Sequence, residues 1–421
     1  MRTRRSVLFA LAALLCGGSS SSAAEFDQYC NLMGFDPPVR QTMIVIDEQH
    51  VLPETGVVPE PRNAQWRQFI GNMLFADAAN LEQNFLPRER VAIFIARKDG
   101  AGTRNVFSGC LPFFSPAERS KIQRDAGYMG PVNTFFGTGV LASARKDMDV
   151  FKIRVGEGFR DALLASALSA TNGERQANEI ASSGLISSLK QGNFINLNYG
   201  VPRVIVYSDM TRFFDGVADR IVARQRGLEK GKAAELNLQG AEVHVVGMTA
   251  GGTVRDALEM FFLAAHGELI STASSTSLPS FAASPVRVAR YQGTIQYPTT
   301  KFPIRIRLAA DQSGTLVNSW VSVQTSGEQF SPLHGVLTCM ESESCSFVGD
   351  DVFSQVWNVK RSTNGTPFLD QSMPFGGARS FTFAIDKSVA KGAISDSLIK
   401  FEGLSNNKLE FTADLQPSAL Y

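Results

Sequence analysis

The sequence predicts a doubly wound, mostly parallel α/β domain followed by an antiparallel β domain of the sandwich or barrel type. Three observations carry this prediction. Over residues 25–270, short continuous apolar runs, typical of strands buried on both faces, alternate with segments of helical period. Residues 271–285 are rich in Ser, Thr, Ala and Pro, as linkers are. Beyond them the helical period disappears and short strand-like runs follow one another.

The N-terminus has the pattern of a secretory signal peptide. Three arginines in the first five residues precede the short apolar run 6–16, and small residues end the segment at 22–24. We expect cleavage after Ala24, so that residues 1–24 are the signal peptide and the protein is periplasmic or extracellular. The Arg-Arg pair leaves both general and twin-arginine export open. No later apolar run is long enough for a transmembrane span.

The amino-acid composition limits the classes of function that this chain can have. The 421 residues are enough for two domains, and 44% hydrophobic against 19% charged residues predicts ordinary folded cores. The net charge of +1 offers no basic excess with which to neutralise a phosphate backbone. The sequence therefore predicts no nucleic-acid partner.

Four cysteines remain after the predicted cleavage: Cys30, Cys110, Cys339 and Cys345. An even count in an exported chain predicts disulfides. Sequence proximity favours a Cys339–Cys345 pair, which leaves Cys30 for Cys110. A zinc site is the alternative, but the spacing is not CxxC and no histidine pair accompanies it.

The predicted first domain, residues 25–270, alternates strands with helices, which implies right-handed βαβ crossovers and a mostly parallel sheet. Such sheets place ligand sites beyond the carboxyl ends of their strands, and Asp47 and Asp209 both follow a strand directly. The predicted strands cover 42–46, 90–96, 204–207 and 241–246, and the predicted helices cover 66–74, 159–189 with a break near 172, 213–228 and 253–265.

The predicted second domain, residues 286–421, consists of short strands. The sequence Asp-Gln-Ser-Gly at 311–314 indicates a hairpin turn between the first two of them. Trp320, Phe347 and Trp357 are predicted core aromatics, with a surface binding cluster as the alternative. The predicted strands cover 304–308, 316–323, 336–338, 346–348, 352–359, 380–385, 394–401 and 409–413.

Three segments of the first domain, TMIVIDEQH, RVIVYSDM and AEVHVVGM, precede a helix ending in EMFFLAAHGEL. Together they resemble the von Willebrand factor A-like domains of bacterial exported proteins, over residues 42–270. The resemblance implies a protein–protein or surface-recognition module in the cell envelope. It implies that the partner docks at the top edge of the sheet, near Asp47, Glu48, Gln49, Ser208 and Asp209.

In that family a divalent cation is held at the same edge by an Asp-x-Ser-x-Ser loop and a later Asp. Asp47 and Asp209 match the two acids, but Gln49 and Val51 occupy the two serine positions. Mg²⁺ requires six oxygens in tight octahedral geometry, and valine offers none. We therefore expect recognition without a bound metal, with a Mg²⁺ or Ca²⁺ site on Asp47 and Asp209 as the alternative.

Enzyme signatures are scarce: the sequence contains no HExxH, no GxSxG elbow and no P-loop. The sequence therefore favours a non-enzymatic binding protein. Two other functions remain open. One is a metal-assisted hydrolase that uses the same carboxylate edge, and the other is a structural component of an envelope assembly.

Overall fold

The computed structural model describes most of the chain between residues 26 and 416. The described ranges are 26–48, 84–97, 103–127, 138–171, 178–190, 200–208, 219–248, 252–273, 287–296, 300–324, 328–339, 344–351, 359–361, 367–369, 379–386, 388–396 and 408–416, with isolated residues 68, 71, 129, 210, 214 and 285. The predicted signal peptide and the predicted helix at 66–74 lie outside these ranges, apart from residues 68 and 71.

The first domain is built on one six-stranded sheet. Its strands are β1 (Arg40–Asp47), β2 (Arg90–Ala96), β3 (Thr103–Cys110), β4 (Val201–Tyr207), β5 (Ala241–Val246) and β6 (Gly267–Ala273). Their order across the sheet is β3-β2-β1-β4-β5-β6. Neighbouring strands are parallel except β3, which runs antiparallel to β2. The predicted mixed, mostly parallel sheet is confirmed.

Helices cover both faces of this sheet, which explains the continuous apolar runs. They are α1 (Pro116–Asp125), α2 (Val140–Thr171), α3 (Asn178–Leu189), α4 (Arg220–Ala233) and α5 (Gly252–Ala264). Along β1, Ile44 and Ile46 enter one hydrophobic core, whereas Met43 and Val45 enter the core on the other face. Because successive side chains of a strand point to opposite faces, both sets of positions must be apolar.

Three elements of this domain were not predicted. The edge strands β3 and β6 are mixed in polarity, TRNVFSGC and GELISTA, so they lack the continuous apolar run of a central strand. The helix α1 has no fully buried residue, so its apolar period is weak. The capping box at its N-terminus is a sequence pattern from which this helix could have been predicted. In the structure the Ser115 hydroxyl accepts from the Glu118 N–H at 3.2 Å, and the Glu118 carboxylate accepts from the Ser115 N–H at 2.8 Å.

The helices α4 and α5 pack with almost no space between their backbones. A Cβ built on Gly227 of α4 would lie 2.0 Å from the carbonyl oxygen of Ala257 in α5. We therefore predict that Gly227→Ala destabilises the protein by about 1–3 kcal/mol, because the clash outweighs the better helix propensity of alanine. Urea unfolding measures the effect, with Gly252→Ala, which meets nothing within 4 Å, as the control. Equal stability of the two variants would show that the two helices separate easily.

The N-terminal segment of the described chain is attached to the first sheet. A 3₁₀ turn at Asp27–Tyr29 precedes Cys30, and Cys30 is joined to Cys110 at the end of β3 by a disulfide. This is the pairing predicted for the first domain. Phe26 and Tyr29 are buried in the same core as the disulfide, so the disulfide lies in the hydrophobic core and not at the surface.

The second domain contains a nine-stranded antiparallel sheet and a separate two-stranded hairpin. In chain order its strands are β7 (Arg287–Gln296), β8 (Lys301–Ala310), β9 (Ser319–Gln324), β10 (Glu328–Leu333), β11 (Val336–Cys339), β12 (Ser344–Asp351), β13 (Val359–Arg361), β14 (Pro367–Leu369), β15 (Arg379–Asp386), β16 (Val389–Asp396) and β17 (Lys408–Leu415). The large sheet has the order β10-β9-β8-β7-β17-β16-β15-β12-β11 and curls around one apolar core.

The observed second domain agrees with the prediction of antiparallel strands and refines it. A single curled sheet takes the place of two stacked sheets among the described strands. The predicted turn is confirmed, since the Gly314 N–H donates to the carbonyl of Asp311 and Gly314 has φ +85°. The register places Cys339 of β11 directly opposite Cys345 of β12, although their side chains lie outside the described part. The first sheet ends at Ala273, so the start of the predicted linker belongs to β6.

The second domain contacts the amino ends of the parallel strands in the first. The Arg307 guanidinium of β8 donates to the carbonyls of Gln239 and Gly240, just before β5, at 2.9 and 2.7 Å. Asn318 donates to the carbonyl of Pro202 at the start of β4, at 2.8 Å. Trp320, predicted as a core aromatic of the second domain, instead packs beside Leu228 and Met260 of the first. The contact therefore lies at the edge opposite the predicted docking edge.

In the described part of the chain, no helix is both long enough and apolar enough to cross a membrane.

Candidate functional site at the carboxyl edge of the first sheet

From β1 the chain adds β2 and β3 on one side of the sheet, and it then returns to the centre and adds β4, β5 and β6 on the other side. The strand order therefore reverses between β1 and β4. In doubly wound folds this reversal opens a crevice beyond the carboxyl ends of the two central strands, where ligands bind. The register pairs Ile46 of β1 with Tyr207 of β4. The residues that follow, Asp47 and Ser208, therefore lie at the mouth of this crevice.

Asp47 and Ser208 are in direct contact there. The Ser208 hydroxyl donates to Oδ2 of Asp47 at 2.7 Å, across 161 positions of sequence. The Ser208 N–H donates to the carbonyl of Val246 at 2.9 Å, which ties the end of β4 to the end of β5. Ser208 is buried, whereas Asp47 and Glu48 are half-buried. The serine thus holds the carboxylate in place, and Asp47 and Glu48 are partly accessible at this edge.

The chain after β4 is strained. Met210 is buried and has φ +46°, a left-handed conformation that a residue other than glycine adopts rarely. Its N–H donates to the Ser208 hydroxyl at 3.1 Å. The same hydroxyl therefore accepts from the strained turn and donates to Asp47. Such strain, of order 1–3 kcal/mol, persists only where surrounding contacts hold it, and it is concentrated at functional sites.

The structure brings together Asp47, Glu48 and Ser208 of the predicted docking set, while Gln49 and Asp209 lie outside the described residues. The Met210 strain was not predicted, because no sequence pattern reports a backbone angle at a methionine. Among the described residues, no group of three or more His, Cys, Asp or Glu side chains is arranged to hold a metal ion. That search does not include Asp209, the second predicted metal ligand.

We predict that Ser208→Ala destabilises the protein by about 1–3 kcal/mol, because the buried N–H of Met210 loses its acceptor and Asp47 loses a donor. Chemical denaturation measures the change, and Ser388→Ala in an exposed turn is the matched control. A loss no greater than that of the control would show that the Ser208 contacts do not hold this edge.

A second polar cluster, which was not predicted, lies at the opposite end of the same strands. Glu89 is fully buried and accepts from Arg40 at 2.8 Å and from Arg203 at 3.1 Å. Thr42 also donates to this carboxylate. Burial by itself raises the pKa of Glu89, but the two guanidiniums and the hydrogen bonds from Arg40 and Thr42 lower it overall. Burial and the nearby Arg40 lower the pKa of Arg203 to about 9, so both partners are charged at neutral pH.

His244 of β5 belongs to the sheet interior, in agreement with the buried strand pattern around it. Its Nδ1 lies 2.9 Å from the Ser271 hydroxyl of β6. Burial, together with the charges of Arg203 and Arg40, lowers the pKa of His244 to about 3. The ring is therefore neutral at physiological pH, and its contacts are those of a structural residue.

No protein-family model, no curated protein and no solved structure matches this chain. The α/β class of the first domain and the position of the site therefore rest on the sequence pattern and the structure.

Proposed function

We propose that the protein is an exported, non-enzymatic recognition module whose protein partner docks at the carboxyl edge of the first sheet, at Asp47 and Glu48. The hydrogen bond of 2.7 Å between Ser208 and Asp47 carries the proposal, because it fixes a carboxylate at the reversal point between β1 and β4. A Cys30–Cys110 disulfide is compatible with export to an oxidising compartment.

The position of the second domain supports this choice of edge. Arg307 and Asn318 attach that domain at the amino ends of β4 and β5. The carboxyl ends of parallel strands lie at the other end of the sheet, so this contact does not cover Asp47. The strand order, with β1 and β4 at the centre, also fits the resemblance to von Willebrand factor A-like domains, from which the docking role comes.

The buried position of Ser208 favours binding over nucleophilic catalysis. A nucleophile must reach its substrate, and its proton must pass to a base. Ser208 is 1% exposed, so its hydroxyl is not open to a substrate. Among the described residues of the edge, Asp47 and Glu48 are half-buried acids, which fits a partner that presents lysine or arginine.

Site-specific crosslinking in the native envelope tests the proposal. A photoreactive residue at position 48 is expected to capture a discrete protein, while the same residue at exposed position 229 of α4 captures none of it. Adding Asp47→Lys to the position-48 variant is expected to abolish the product, because it reverses the charge that the partner meets. Identical products from positions 48 and 229, or a product that survives Asp47→Lys, would refute docking at this edge.

One observation favours a second candidate, a cation-assisted hydrolase at the same edge. A carboxylate and a hydroxyl lie in contact there, and both are oxygen ligands that Mg²⁺ and Ca²⁺ accept. Thermal unfolding with added Mg²⁺, Ca²⁺ or Mn²⁺ separates the two functions, since an ion that binds the folded state raises the melting temperature saturably. A rise lost in Asp47→Asn supports the cation site, and no rise supports metal-free recognition.

A further inference from the structure

A groove of about 700 Å³ lies on the outer face of the curled sheet in the second domain. Along β17, Leu409, Phe411 and Ala413 are buried in the core, so Lys408, Glu410 and Thr412 point to the opposite face. The groove is on that outer face and crosses β7, β17, β16 and β15. It is remote in the fold from Asp47 and independent of the function proposed for that edge.

Short side chains, together with Lys391, form the floor of the groove. The register aligns Thr294, Thr412, Lys391, Ala384 and Ser346 in one continuous row across five strands. A neighbouring row pairs Glu410 with Ala393 and Ala393 with Thr382. Because residues opposite one another on a sheet share a face, these rows leave a shallow channel that runs across the strands.

Glycines hold the strands of this floor close together. A Cβ built on Gly392 of β16 would lie 2.1 Å from the carbonyl oxygen of Thr382. One built on Gly293 of β7 would lie 1.9 Å from the carbonyl oxygen of Thr412. Glycines in strands allow such close backbone approach and sharp bending of a sheet. The two glycines thus allow β7 and β16 to lie close to their neighbouring strands beneath the groove.

The charge of the groove is positive. Among the described residues that line it, Lys301, Lys391 and Lys408 stand against one acid, Glu410, in a chain whose whole net charge is +1. Hydroxyls and lysines on the floor are hydrogen-bond donors, which suit a ligand rich in acceptors. An excess of one sign of charge in a cleft attracts ligands of the opposite sign.

The lining also disfavours other ligands. The aromatic side chains among the lining residues, Phe383 and Phe411, are buried on the core side and offer no stacking surface to neutral sugar rings. The floor has no apolar pocket among its described residues to anchor a hydrophobic peptide side chain. We propose that this groove binds an anionic oligosaccharide, with its acidic groups on Lys301, Lys391 and Lys408 and its hydroxyls on the Thr-rich floor.

Calorimetric titration of the full chain with a hexamer of galacturonate tests the proposal. We expect saturable binding at low salt that weakens as ionic strength rises, with no binding of neutral maltohexaose. Lys391→Glu is expected to weaken the affinity about tenfold, since the substitution removes one attraction and adds a repulsion. The control Lys146→Glu, an exposed charge reversal on α2, is expected to leave the affinity unchanged.

A second variant separates lost binding from lost folding. Ala384→Tyr fills the floor from an exposed position without changing charge, and it is expected to block galacturonate binding while thermal unfolding stays as in the wild type. Equal affinities of Lys391→Glu and Lys146→Glu would overturn the proposal. So would tighter binding of hexaglutamate than of hexagalacturonate, which would indicate an acidic peptide, or binding of neither anion at low salt.

Discussion

Glu89→Ala is expected to destabilise the first domain by about 3–5 kcal/mol. The substitution leaves two buried guanidiniums, those of Arg40 and Arg203, without the carboxylate between them. Both arginines are almost fully buried, so water cannot replace the lost partner. The loss of one partner from a buried ion pair is costly for this reason, even where the intact pair adds little net stability.

Urea unfolding of three variants measures this effect. Glu89→Gln keeps the shape but removes the charge, so it is expected to fall between the wild type and Glu89→Ala. Glu229→Ala, an exposed acid on α4, is the control and is expected to change stability by less than about 0.5 kcal/mol. If Glu89→Ala lowered the free energy of unfolding by less than about 0.5 kcal/mol, the two arginines would have found other partners or water.

The same carboxylate predicts a dependence on pH. The pKa of Glu89 in the folded protein is lower than its usual 4.5, so its ionised form is stabilised by folding. Its contribution is complete above pH 4.5 and is lost as the pH falls through the lower native pKa. The stability difference between the wild type and Glu89→Ala is therefore expected to shrink in acid. A difference that grows in acid would contradict the prediction.

Arg307→Ala is expected to weaken the attachment of the two domains by about 3–5 kcal/mol. Its buried guanidinium donates to the carbonyls of Gln239 and Gly240 in the first domain and to Asn318 in the second. Removing it leaves several buried acceptors without a donor, and each such loss costs about 1–3 kcal/mol. The cation also lies 5.5 Å from the centre of the Trp320 ring.

Scanning calorimetry distinguishes a local effect from a loss of coupling between the domains. The wild type is expected to unfold as one transition, while Arg307→Ala separates into two, with the second domain melting first. Arg305→Ala, two residues earlier on the same face of the strand but exposed, is the control and keeps a single transition. A single, merely shifted transition in Arg307→Ala would show that other contacts couple the domains.

The central elements of the first domain were predictable because their signals are local. A strand buried on both faces favours consecutive apolar residues, and β1, β2, β4 and β5 each contain such a run beside a few buried polar positions. The edge strands β3 and β6 are covered incompletely, so their sequences carry no such requirement. The antiparallel nature of the second domain was predictable from short runs and turns, but its single curled sheet was not.

The candidate site was predicted in part for the same reason. Asp47 and Ser208 each follow a buried strand, and the carboxyl ends of parallel strands meet at one edge of a sheet, so their proximity followed from the topology. The left-handed Met210 and the hydrogen bond that it makes to Ser208 depend on contacts that no sequence pattern reports.

The sequence by itself determined which central strands are buried on both faces, and it predicted the Cys30–Cys110 pair and the position of Asp47 at the end of β1. Only the tertiary structure decided the partners of charged residues. Glu89 meets Arg203 across 114 positions, and Arg307 meets Gly240 across 67. The hydrophobic period of a helix or strand predicts which of its residues are buried. The partner of a buried charge is set by the neighbouring strand or domain, and that neighbour is distant in sequence.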